Sequence, residues 1–173
     1  GGIRVPLLVR GPGINAGTFA YDRTMGIDLL PTIAELSRID QSLPEDVEGG
    51  SLVPLLMNKG KGEVKRSREE LVFHFPHYDM DPTGPASAIM LGDYKLIKFY
   101  EADKLHLFDL SKDMSEKNDL ADLNPEIVSD LHDRLNEYLA SVNAQMPMPN
   151  PDYDPSKPAG ERRRRNNRRG RAQ

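Results

Sequence analysis

His74 and His77 are the residues whose type and spacing are best suited to chemistry in this chain. They flank Phe75-Pro76, where an alternating apolar run gives way to a segment rich in Asp79, Asp81, Pro82, Gly84 and Pro85. Imidazoles at a strand exit can donate or accept hydrogen bonds to a bound molecule, and connections on a rigid scaffold are where binding groups collect. The plainer reading is that both are polar residues satisfied locally. A metal site needs a third ligand close by, and no third ligand accompanies the pair.

The remaining polar residues read more simply. His106 and His132 fall on a strand and a helix, where structural or surface roles are expected. Asp109 and Asp113 flank a turn, which points to capping. Glu69-Glu70 is a solvated face. There is no Cys, so the chain has no disulfide framework and no Cys-based metal site.

Charge is unevenly spread. Residues 161–173 hold seven Arg and one Glu, whereas residues 1–160 carry 16 basic and 26 acidic side chains. A basic tail can bind phosphates without sequence preference. No aromatic residue is interleaved for base stacking, and the rest of the chain is acidic, so a specific nucleic-acid partner is not expected. No apolar run approaches the roughly 20 residues of a membrane helix. The tail is expected to be disordered, because it offers no apolar surface to offset ordering.

Elements follow from periodicity. Ile3 to Val9 reads as a strand buried on both faces, closed by the turn Gly11-Pro12-Gly13. With Gly1-Gly2 ahead of it and no initiator methionine, the opening reads as an internal position in a larger α/β enzyme. Asp28 to Ser37 reads as a helix with the apolar stripe Ile27, Leu30, Ile33, Ala34 and Leu36, and with Pro31 tolerated in its first turn. Leu52 to Met57 suggests a short helix.

From Leu71 onward the period is two. Leu71, Phe73 and Phe75 alternate with Val72 and His74; Ala88 to Leu91 and Tyr94 to Phe99 flank the hairpin signal Gly92-Asp93; Leu105 to Leu110 makes a fourth strand. Asn124 as N-cap, Pro125 at N1 and the stripe Ile127, Leu131, Leu135, Leu139 predict a covering helix over 124–142. The organisation expected is 1–68 as the end of an α/β catalytic domain, 69–145 as a four-stranded antiparallel sheet covered by a helix, 146–160 as an extended Pro-rich segment, and 161–173 as the Arg-rich tail.

Six segments, in order, carry a family resemblance: Gly1-Gly2-Ile3-Arg4-Val5-Pro6; Asp28-Leu29-Leu30-Pro31-Thr32-Ile33-Ala34-Glu35-Leu36; Glu48-Gly49-Gly50-Ser51-Leu52-Val53-Pro54-Leu55-Leu56; Phe73-His74-Phe75-Pro76-His77-Tyr78; Gly92-Asp93-Tyr94-Lys95-Leu96-Ile97; and Leu107-Phe108-Asp109-Leu110. Together they resemble the C-terminal portion of type I sulfatases, the arylsulfatase-like members of the alkaline-phosphatase superfamily.

The resemblance implies a sulfuric ester hydrolase that uses a formylglycine nucleophile and calcium. It also implies a sulfated small molecule or polysaccharide as substrate, and a periplasmic or secreted location. The family's formylglycine arises in a Cys/Ser-x-Pro/Ala-x-Arg motif, which this chain lacks; it also lacks an Asp-Asp metal half-site. Catalytic and metal-binding residues are therefore expected upstream of this chain, and the chain alone is expected to be inactive.

In the family the strand ending at His74 faces the substrate pocket, so the resemblance makes His74 and His77 candidate substrate-binding residues. Arg4 is expected to pair with an acidic residue outside this chain rather than to bind sulfate. A phosphoesterase of the same superfamily and a non-catalytic polyanion-binding module are the other readings.

Overall fold

The computed structural model describes residues 3–39, 42–78 and 84–148. Four strands form one antiparallel sheet in the order β1-β2-β3-β4: β1 (Leu71–Phe75), β2 (Ala86–Leu91), β3 (Tyr94–Phe99) and β4 (Lys104–Asp109). Three α-helices accompany them: α1 (Leu29–Leu36), α2 (Val53–Met57) and α3 (Pro125–Ser141). The expected α/β arrangement of a four-stranded antiparallel sheet with a covering C-terminal helix is what forms.

The sheet is positioned by its registers. Ile89 pairs with Leu96 and Leu96 with Leu107, so the three share one face. They are completely buried against Leu131, Leu135 and Leu139 of α3. Each such side chain contributes about 1.5–3 kcal/mol of burial. The β2–β3 turn is Gly92-Asp93, with positive φ at Gly92, as a two-residue hairpin of the type II′ pattern requires.

The other face carries Leu71, Phe73 and Phe75 of β1, Ala88 and Met90 of β2, Ile97 and Phe99 of β3, and His106 and Phe108 of β4. It is covered at the Leu71/Met90/Phe108 end, while Phe75 at the other end is 49% exposed. The alternation of Leu71, Phe73 and Phe75 is thus real, but these residues face away from α3.

Residues 25–66 build around two buried polar side chains. Asp28 is fully buried; its Oδ2 accepts from Met25 N at 2.7 Å and its Oδ1 from Gly50 N at 3.0 Å. Arg66 donates to both oxygens, Nε at 2.8 Å and Nη2 at 2.7 Å. Thr32 Oγ1 donates to Asp28 O and accepts from Leu52 N at 2.8 Å. The glycine pair is obligatory: a Cβ on Gly49 would lie 2.0 Å from Ile27 O, and one on Gly50 2.4 Å from Lys65 O.

Three expectations are corrected. Ile3–Val9 is not a strand; it is exposed, with Val5 at 79% and Leu8 at 92%, because no strand among the described residues lies beside it to pair its backbone. The helix expected over 28–37 forms as a 3-10 turn (Gly26–Asp28) followed by α1, but its apolar stripe is buried only at Ala34: Ile27, Leu30, Ile33 and Leu36 are exposed, while Pro31 and Thr32 join Ala34 on the inward side. Thr32's hydrogen bonds, rather than apolar burial, fix which side of α1 faces in. Asn124 holds the N-cap position of α3 without making the cap bond; its Nδ2 donates instead to Leu120 O at 3.2 Å. The Arg-rich tail at 161–173 and nearly all of the Pro-rich segment lie outside the described residues.

Candidate functional site

Strand β1 delivers His74 to the face covered by α3, opposite Ser87 of β2. His74 Nδ1 lies 2.6 Å from Ser87 Oγ, and Ser87 Oγ lies 2.7 Å from Tyr100 Oη. On its other side, His74 Nε2 is 2.8 Å from the carbonyl oxygen of Gln145, in the segment that follows α3. The Tyr100 ring meets the imidazole edge-on at 6.1 Å. Both ring nitrogens of His74 are therefore engaged within the chain.

His77 is placed differently. It lies two residues beyond β1, exposed, with its ring edge-on to Phe75 at 5.7 Å and no hydrogen bond among the described residues. Exposed Tyr78 adjoins it. The connection returns through Gly84, whose φ is +71°; a Cβ there would meet Glu101 Oε2 at 3.1 Å and the Tyr78 ring at 3.4 Å. The acidic residues Asp79 and Asp81 of this connection lie outside the described residues. The strand thus separates the two histidines: one is tied down by hydrogen bonds, and one is exposed with none among the described residues.

Sequence reasoning missed Ser87, Tyr100 and Gln145. One signal pointed to Ser87: a lone hydroxyl in the apolar strand Ala86-Ser87-Ala88-Ile89, and buried hydroxyls find partners. It also missed Arg66, which lies 38 residues from its partner Asp28.

Several of the other charged groups have structural partners. Burial would push the Asp28 carboxyl up, but hydrogen bonds from Arg66, Gly50 and Met25 outweigh it and hold the group below its ordinary value. Asp109 accepts from Lys112 Nζ and from the Ser111 hydroxyl and amide, which bring it down to about 2. Asp113 accepts the amides of Lys117 and Asn118, as a turn cap does. His106 pairs with Asp119 at 2.8 Å. His132 is half-buried on α3, and Arg4 is exposed without an ion pair among the described residues. No three His, Cys, Asp or Glu side chains converge among the described residues where they could hold a metal ion. No helix among them is long and apolar enough to cross a membrane.

A junction ties the Asp28 region to the sheet-and-helix unit. Tyr138 Oη donates to Glu48 Oε2 at 2.9 Å, and the Arg68 guanidinium lies over the Tyr138 ring, 5.2 Å from its centre. A cavity of about 60 Å³ lies between Met25, Arg66, Arg68, Glu70 and Tyr138.

Residues 1–144 match the family described as N-sulphoglucosamine sulphohydrolase, C-terminal. An N-acetylglucosamine-6-O-sulfatase of Bacteroides thetaiotaomicron is 31% identical over 120 residues, covering 68% of this chain and 21% of that protein. Arylsulfatase K of Homo sapiens is 32% identical over 142 residues, covering 78% of this chain and 25% of that protein. Among solved structures, BT4656 in complex with its substrate D-glucosamine-2-N,6-O-disulfate superposes with a TM-score of 0.58 at 26% identity, covering 75% of this chain and 26% of that one. The chain spans roughly a quarter of the length of the curated relatives it matches, 28% and 21% for two of them.

Proposed function

Since the chain belongs to the N-sulphoglucosamine sulphohydrolase C-terminal family, we propose that it is the C-terminal part of a sulfatase that hydrolyses sulfate esters on sugars. The supporting observation is that the family match runs through both the Asp28 region and the sheet-and-helix unit, over residues 1–144. BT4656, with its sulfated glucosamine substrate, supports a sulfated amino sugar as the substrate class.

The formylglycine and calcium that such a reaction would use come, in this reading, from outside the chain. The chain has no Cys and no Ser in the required pattern. Its described carboxylates and imidazoles do not converge on a metal position.

The chain's own contribution is a wall of the substrate pocket. His77, exposed beyond β1 with both ring nitrogens unengaged among the described residues, donates or accepts a hydrogen bond to a sugar hydroxyl or a sulfate oxygen. His74 stands behind it. Of the two candidates, His77 is the one whose geometry leaves it available to substrate.

The test is to assay the protein that carries this chain for sulfate release from glucosamine 6-sulfate and from an aryl sulfate, with a phosphate monoester as control. Sulfate release is expected. His77→Ala is expected to lower kcat/KM on the sugar by about 5- to 150-fold, the equivalent of about 1–3 kcal/mol for a hydrogen bond left unmade. Phosphate release without sulfate release would defeat the reading, and so would turnover by residues 1–173 alone.

A further inference from the structure

The hydrogen bonds around His74 have a direction that their distances alone do not state. A backbone carbonyl only accepts, so His74 Nε2, 2.8 Å from Gln145 O, carries a proton. In the neutral imidazole Nδ1 is then a bare acceptor, and Ser87 Oγ at 2.6 Å must donate to it. Having spent its one proton, the Ser87 hydroxyl accepts from Tyr100 Oη at 2.7 Å. With the imidazole neutral, the direction runs from Tyr100 to Ser87, from Ser87 to His74 and from His74 to Gln145.

The acceptor at the far end is also held in place. Helix α3 ends at Ser141, and two residues on the chain turns at Asn143, whose φ is +49°. Asn143 N donates to Ala140 O at 3.1 Å and Ala144 N to Leu139 O at 2.9 Å, the paired bonds of a Schellman stop. Ala144 packs against the core beside Leu139, so the chain turns back over the sheet and presents the next carbonyl, Gln145, to β1. The Ser87 hydroxyl end is fixed by the β1–β2 register. Strand β1, the return from β3 and the exit from α3 thus converge on one imidazole, three residues before His77.

We infer that His74 is a positioning residue locked in the Nε2–H tautomer, which latches the exit of α3 to the end of β1 and thereby holds the Pro76-His77 connection in place. The effect on turnover rests on the sulfatase reading; the tautomer and the latch do not. The arrangement explains why two similar histidines in one short motif have different surroundings: one fixes the backbone from which the other reaches out.

The experiment has a spectroscopic and a kinetic arm. In the full chain, selective ¹⁵N labelling of histidine is expected to show neutral His74 protonated at Nε2 and bare at Nδ1, in the wild type and in Tyr100→Phe, where Ser87 can still donate. An Nδ1–H tautomer overturns the inference whatever the protein's activity. His74→Gln keeps an amide N–H able to reach Gln145 O, whereas His74→Ala keeps nothing. In the protein that carries this chain, His74→Ala is expected to lose about 10-fold in kcat/KM on a sugar sulfate, with His74→Gln recovering to within about threefold of wild type. Equal losses in the two variants, or none in His74→Ala, overturn the positioning role. A correct tautomer in a protein that releases no sulfate leaves the latch standing and removes only the sulfatase reading.

Discussion

Between Leu71 and Ser141 the deepest positions are aliphatic: Ile89, Leu96 and Leu107 of the sheet meet Leu131, Leu135 and Leu139 of α3. Between Met25 and Arg66 the most deeply buried side chain is a carboxylate, that of Asp28, and much of the apolar surface, Leu30, Ile33 and Leu36 among it, faces outward. One region is held by removing apolar area from water, a non-directional force that tolerates small shifts. The other is held by a directional set of hydrogen bonds converging on one charge, which is satisfied completely or fails. A chain can therefore contain one region whose apolar residues are buried internally and another whose apolar residues are largely exposed.

The sharpest way to break this comparison is to remove the charge. Asp28→Ala strands the amides of Met25 and Gly50 and the Arg66 guanidinium, which is only 11% exposed. Breaking a buried pair costs about 3–5 kcal/mol. Amide hydrogen exchange is expected to show protection lost in α1, α2 and the glycine pair but kept in β2, β3 and α3. Uniform loss would mean that the regions are one cooperative unit.

Acid is expected to act on the same side. The Asp28 carboxyl titrates below its ordinary value of 3.8 when folded, so its contribution is present above that pH and is lost as pH falls through the depressed value. Protection near Asp28 should then fade in acid before protection in the sheet.

Leu135→Ala tests the other side. It truncates a fully buried core residue and should cost about 2–5 kcal/mol, collapsing protection across all four strands and α3. Its cost should be indifferent to pH between 3 and 7, since it removes no titrating group. A strong pH dependence would blur the distinction between the two regions.

The smallest expected effect sharpens the junction. Tyr138→Phe removes the hydroxyl bonded to Glu48 while keeping the ring under Arg68. About 0.5–1.5 kcal/mol is expected. Thermal unfolding of Tyr138→Phe, Glu48→Gln and the double variant should show non-additive losses; additive losses would mean that the contact does not couple the regions.

The two regions also differ in how far they were legible in sequence. Strands β1 to β4 and α3 fall within two residues of where periods of two and 3.6 place them, because a one-faced apolar core writes its geometry into alternation. Ile3–Val9 misled because the composition of a buried strand says nothing about whether a neighbour is present. The stripe on α1 misled similarly: it is apolar, but Thr32 and Asp28 choose the buried side. The Asp28–Arg66 pair, separated by 38 residues, leaves no periodic trace at all.

Of the candidate site, the two histidines and their position at a strand end were readable from sequence. The difference in their surroundings was not. It depends on Ser87 across the ladder, on Tyr100 after β3 and on a carbonyl beyond α3, and a backbone carbonyl has no residue type to recognise.

The Asp28 carboxylate also bears on the order in which the molecule assembles. The sheet is a meander, each strand pairing with the next in the chain, so its contacts close short loops and are reached early. The carboxylate must wait for Arg66 across 38 residues, and Glu48 for Tyr138 across 90. Closing those longer loops costs entropy that no single contact along the way returns. The meander and α3 should form the template, with the segment around α1 settling onto it afterwards and sealing only when the guanidinium finds both carboxylate oxygens.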